Sequence, residues 1–151
     1  MDRRGILGVL AAGFAAMAAS VRGASAEGER PHRLVIHVDQ NDPDLMNMAL
    51  NNAGNVVDYY EARGEKVAIE FVAYAQGLHM LREDTSPVKD KIAALRNRLA
   101  GATFSACRNT MTNAEKKEGK PVKLIAEATV VPSGVVRLME LQEQGWSYVR
   151  P

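Results

Sequence analysis

The sequence predicts an α/β fold, a three-layer sandwich whose mostly parallel sheet, of about five strands, is covered by helices on both faces. Three observations carry that expectation. Short β-branched runs are apolar at consecutive positions, as strands buried on both faces require. They alternate with segments whose apolar residues recur at helical spacing, and Asp-Pro, Ser-Pro and glycine signals punctuate the boundaries. Strands joined through helices connect by right-handed crossovers, which makes the strands parallel.

The first strand is Leu34-Val35-Ile36-His37-Val38. Asp42-Pro43 supplies an N-cap and a proline at the first helical position, and Met46, Ala49, Leu50, Ala53, Val56, Val57 and Tyr60 form the buried stripe of a helix that Gly64 closes. Val67 to Tyr74 is the second strand, left through a turn or short helix at Ala75 to His79. Ser86-Pro87 repeats the start signal for a helix with Ile92, Leu95 and Leu99 on one face and Gly101 as its stop. The third strand, Thr103 to Ala106, ends at Cys107, and the box Thr112-Asn113-Ala114-Glu115 predicts the start of a short helix that Gly119 ends. Ala128 to Val131 is the next strand. Ser133 is expected to cap a last helix that turns Val135, Val136, Leu138 and Met139 inward and stops at Gly145, before a terminal strand from Trp146 to Val149.

Composition narrows the function classes. Of 151 residues, 46% are apolar and 25% charged, with a formal net charge of +1. Such a balance excludes disordered, collagen-like and coiled-coil chains and gives no basis for a nucleic-acid partner. The single cysteine, Cys107, excludes an internal disulfide framework and a multi-cysteine zinc site. Three scattered histidines offer no metal-ligand spacing, and no cofactor is implied. Residues 1–26 read as an export signal, with Arg3 and Arg4 ahead of an apolar run from Ile6 to Ala19 and Ala24-Ser25-Ala26 as the cleavage site. The run is too short and alanine-rich for a stable membrane span. Cleavage after Ala26 delivers the chain to the periplasm, by the general or the twin-arginine route. A linker over 27–32 then precedes one α/β domain over 33–151.

In such sheets ligands sit at the carboxyl ends of the strands. The strand ends Val38, Tyr74, Cys107 and Val131 are therefore expected along one edge. The loops there offer Asp39, Gln40, Asn41 and Asp42; then Gln76 and His79; then Cys107, Arg108 and Asn109; and Ser133. The acidic first loop opposes a nucleotide or flavin phosphate. Cys107 stands where a phosphoacceptor domain needs an aspartate, no lysine follows Lys123, and a G-x-S-x-G elbow is absent. What remains is a thiol, with the positive charge of Arg108 beside it and helix amides nearby, both of which favour a thiolate.

The segments VAIEFVAYAQGLHML, FSACRNTM and VVPSGVVRLMELQEQGWSYVRP resemble the DsrE-like group of small sulfur-relay proteins, over most of residues 33 to 151. The resemblance implies a flavodoxin-like sandwich, assembly into homo-oligomers, and sulfur carried as a persulfide on Cys107, with a donor or acceptor protein or a small sulfur compound as partner. Arg108 stands where a small residue is expected. Two readings follow: a periplasmic sulfur carrier or sulfurtransferase component using Cys107, or a non-catalytic oligomeric binding or scaffold domain in which Cys107 is buried.

Overall fold

The computed structural model describes residues 30–151. The expected export signal and the first part of the linker lie outside them. Five strands, β1 (His32–Val38), β2 (Val67–Ala73), β3 (Ala102–Cys107), β4 (Ala128–Val131) and β5 (Ser147–Val149), form one sheet in the order β4-β3-β2-β1-β5, and every pairing is parallel. The helices are α1 (Pro43–Glu61), α2 (Lys89–Arg98), α3 (Arg108–Glu118) and α4 (Gly134–Glu143), with a 3-10 helix over Ala75–Leu81. The expected three-layer, flavodoxin-like α/β sandwich is what the chain forms.

Strand order decides where each helix lies. From β1 to β4 the chain steps one strand at a time in one direction, so right-handed crossovers put α1, α2 and α3 on the same face. The connection from β4 to β5 runs back across the sheet, and the same handedness puts α4 on the opposite face. The two cores reflect this. Ile36, Ile69, Phe71 and Phe104 pack with Met46, Ile92 and Met111 of the three helices, whereas Val35 and Val72 pack with Leu138 and Leu141 of α4.

Register brings the strand ends to one edge as expected: Val38 pairs with Ala73, Ala73 with Ala106, and Cys107 with Val131. Gly77 permits the tight exit from β2, since a Cβ there would stand 2.0 Å from the Val38 carbonyl oxygen.

Several element boundaries differ from the sequence expectation. β1 begins at His32, inside the expected linker, because its amide bonds to the Lys66 carbonyl and joins the ladder to β2. Ser86-Pro87 does not start α2; the helix begins at Lys89, and the Ser86 hydroxyl accepts the Val88 amide in a turn ahead of it. The Thr112 box does not start α3, which begins four residues earlier at Arg108 with Cys107 as its N-cap. Glu115 instead turns outward to accept the Val122 amide. In α4, Leu138 and Leu141 are buried, but Val135, Val136 and Met139 are 50%, 49% and 56% exposed, since a lone helix on a sheet buries one narrow stripe.

Candidate functional site

β3 and β4 are adjacent, yet the helices that follow them leave to opposite faces, α3 to the crowded one and α4 to the other. This is a topological switch point, where a crevice opens at the carboxyl ends of a parallel sheet. Cys107, the last residue of β3, sits in that crevice with the first turns of α3 and α4 around its sulfur.

The backbone N–H groups of Asn109 and Thr110 in α3 and of Gly134 in α4, with the Thr110 hydroxyl, lie beside Sγ and favour its charged form. None makes a close cap of the kind Asp42 makes to the Asp44 amide at 2.8 Å. Burial pushes the Cys107 thiol up; these donors more than offset it and hold its pKa below the ordinary thiol value. The Thr110 hydroxyl is oriented for its part, because Oγ1 accepts the Ala75 amide at 3.1 Å and keeps its proton for the sulfur. Ala75 holds that amide in place with a left-handed φ of 49°, a strained conformation for a residue with a Cβ. Gly134 is required for the close approach of α4, since a Cβ there would lie 2.8 Å from the Tyr74 ring.

Behind Tyr74 lies a cluster carried by β1 and β5. Tyr74 stacks on His37 with ring centroids 4.7 Å apart, and Nδ1 of His37 shares a 2.7 Å hydrogen bond with the Tyr148 hydroxyl. Nε2 of His37 is buried without a hydrogen-bond partner, 3.8 Å from the Asp39 carboxylate, which Arg150 engages through two nitrogens. Burial lowers the His37 pKa, opposed by Asp39 and reinforced by Arg150. Burial also raises that of Tyr74, as do Asp39, Tyr148 and Cys107, so its hydroxyl stays protonated near neutrality. On the same face Glu70, 3% exposed, accepts two 2.7 Å bonds from Arg137 of α4 and one from Ser105, which clamps α4 to the sheet.

A cavity of about 450 Å³ opens on the other side of Tyr74, between the 3-10 helix and α3. Tyr74 and Thr110 line it, and the Thr110 hydroxyl also faces the Cys107 sulfur.

Among the residues singled out in the sequence, Cys107 and Ser133 meet at the crevice, although the Ser133 hydroxyl makes no cap bond. Asn109 contributes its amide rather than its side chain. Arg108 is exposed, and the amides and the Thr110 hydroxyl, not its charge, account for the lowered thiol pKa. Gln76 and His79 line the cavity, where His79 Nδ1 meets Thr85 Oγ1 at 2.7 Å. Asp39 belongs to the His37 cluster, and Asn41 is exposed on the loop ahead of α1. Sequence reasoning placed Tyr74 at the ligand edge without giving it a role, and gave none to His37; it missed Thr110, Gly134, Tyr148 and Arg150. The strand alternation that sets His37 and Tyr74 on the α4 face was the available signal for those two. Among the described residues no group of three or more His, Cys, Asp or Glu side chains is placed to hold a metal ion, and no helix is long and apolar enough to cross a membrane.

No family model matches the chain, and no curated protein matches it. Among solved structures, the chain is similar to MTH1491, a protein of unknown function from Methanobacterium thermoautotrophicum. The two share 32% sequence identity with a TM-score of 0.67, over 80% of this chain and 99% of the archaeal one.

Proposed function

The chain belongs to the same family as this archaeal protein of unknown function, and from the chemistry of the site we propose that it is a single-cysteine sulfur carrier or sulfurtransferase component. One observation carries the reading: the Cys107 sulfur lies at a switch-point crevice, with backbone amides from two helix N-termini and one oriented hydroxyl holding it toward the thiolate. The thiolate is the nucleophile in sulfur transfer. It attacks the terminal sulfur of a donor persulfide R–S–SH; the donor S–S bond breaks, R–S⁻ leaves with the electron pair, and Cys107–S–SH forms. No external oxidant or reductant is consumed. With no second cysteine in the chain the persulfide is discharged to an external thiolate, which restores the Cys107 thiolate.

The DsrE-like resemblance supports the same role, with the periplasm as the place of action and a homo-oligomer as its form. The exposed Val135, Val136 and Met139 stripe on α4 supports self-association. Intact mass spectrometry after incubation with a sulfane donor tests the reading. The wild type should gain the mass of one sulfur atom and Cys107→Ser should gain nothing. The 5% exposure of Cys107 favours the second reading, a scaffold domain with an inert thiol. Resistance to both donor and alkylating reagent until the protein unfolds would establish that reading instead.

A further inference from the structure

We propose that the outer face of α1 pairs with the same face of a second copy of this chain, the two helices running antiparallel across a two-fold axis between Ala53 and Gly54. The contact gives the homo-oligomer of the proposed function a specific surface, and it does not depend on what Cys107 does with sulfur. α1 is the longest of the described helices, and from 45 to 57 it carries no charged residue. The two helices beside it on the same side of the sheet turn charge to solvent, α2 with Asp90, Lys91 and Arg98 and α3 with Lys116 and Lys117. The centre of a protein–protein contact is depleted in charge and enriched in Tyr and Met. On α1 Met48 is 46% and Tyr59 54% exposed, and exposed Asn55 and half-buried Asn52 stand between them. Positions 48, 52, 55 and 59 step by four, three and four, the period of the seam between paired helices.

What names the occupant is that the stripe complements its own reverse. Asp44 stands four residues before Met48, and Arg63 four after Tyr59. An antiparallel copy centred between Ala53 and Gly54 therefore sets Asp44 opposite Arg63, Met48 opposite Tyr59 and Asn52 opposite Asn55, each pair occurring twice as a two-fold axis requires. These are an ion pair, a thioether against an aromatic ring, and two amides that both donate and accept. The charges at the ends are free to take part. Among the described residues Asp44 makes no ion pair. The Arg63 guanidinium is held over the Tyr59 ring, 3.6 Å from its centroid, by a bond from Nη1 to the Tyr59 carbonyl, and its Nε and Nη2 have no partner among the described residues. Asp44 and Arg63 lie about 28 Å apart at the helical rise, so within one chain they cannot meet. One pair of helices of that length makes an interface at the small end of the specific range, and dissociation at micromolar concentration is expected.

The test is sedimentation equilibrium of the full chain at low ionic strength, where the wild type should dimerise. Asp44→Lys or Arg63→Glu sets two like-charge pairs across the axis, and each should weaken dimerisation about tenfold. The double variant restores opposite charges with their signs exchanged and should recover the wild-type constant to within about threefold. Cross-linking gives a readout independent of those charges. In a Cys107→Ser background, Asn55→Cys lies near the axis and should form a disulfide with its own copy on mild oxidation, whereas Met48→Cys, about 16 Å from its copy along the helices, should not. A chain that stays monomeric would overturn the α1 contact and the homo-oligomer together. A dimer that the single reversals leave unchanged, that the double reversal fails to restore, or that cross-links through Met48→Cys instead of Asn55→Cys would overturn the α1 contact alone. A dimer that Met139→Glu abolishes and the α1 reversals do not affect would place the contact on α4, on the opposite face of the sheet, and likewise overturn the inference.

Discussion

On one face of the sheet the strands present Ile36, Phe71 and Phe104; one residue along the same strands, on the other face, stand His37, Glu70 and Ser105. All six are buried, but by different means. The first face is closed by three helices with apolar contacts, among them the Phe71 and Phe104 rings stacked 4.9 Å apart. The second is closed by α4 alone and by polar groups that satisfy one another, apart from the orphaned Nε2 of His37. The first face therefore holds most of the apolar burial, while the second keeps groups that donate, accept and ionise beside the crevice. Both depend on the same strands, through residues of opposite parity.

The largest expected effect breaks the first face. Phe104→Ala should cost about 3 to 5 kcal/mol by denaturant unfolding, the range for deleting a buried aromatic ring. Next comes the clamp on the second face. Arg137→Leu strands a buried carboxylate at Glu70, and with Arg137 itself 30% exposed the cost should be about 2 kcal/mol. Replacing both residues by leucine should cost less than Arg137→Leu alone; a larger loss would mean that the pair adds net stability instead of compensating its own burial. Gly134→Ala is smaller, about 1 to 2 kcal/mol from crowding Tyr74. Its sharper effect is on the sulfur: with α4 pushed away, the pH midpoint of Cys107 alkylation should rise toward the ordinary thiol value.

The smallest effect is electrostatic and separates the faces by pH. Between the depressed folded pKa of Cys107 and the ordinary thiol value, the unfolded chain holds a proton that the folded chain has released. Stability should therefore rise with pH across that window, be fully present above the unfolded value and be lost as pH falls through the folded one. His37, lowered by burial, adds a loss of stability as pH falls below the ordinary histidine range. Unfolding titrations of wild type, Cys107→Ser and His37→Phe across pH check both signs, whereas Phe104→Ala should shift the whole curve without changing its shape.

Much of the first face was legible in the sequence, because β-branched runs and helical periodicity are local signals. Ile92 and Leu95, Met46 and Leu50 all pack where their spacing put them. The second face was less legible because its groups act through long-range pairs. Nothing near Tyr148 in the chain points to His37, and Glu70 within VAIEFVAY carries no mark of Arg137. The cysteine was found, but the mechanism around it was not. Arg108 drew attention by proximity in sequence, while the groups that act on the sulfur are amides, which every residue carries and no motif advertises. The late start predicted for α3 followed from a capping box that stood inside the helix, where Glu115 has a different partner.

The placement of β5 beside β1 has a consequence for the order in which the chain acquires its structure. Contacts between neighbouring strands β2 and β3 close about thirty-five residues, as from Glu70 to Ser105, whereas Tyr148 must find His37 across 111. Loop closure over the longer span costs about 1 kcal/mol more, and a three-residue strand returns little for it. The four-stranded sheet from β1 to β4 therefore assembles first and β5 docks onto it last. By the same reasoning β5 should be the first to lift in the native state, with amide exchange at Tyr148 and Val149 faster than at Phe71 and Phe104, and each opening would uncover the His37 ring.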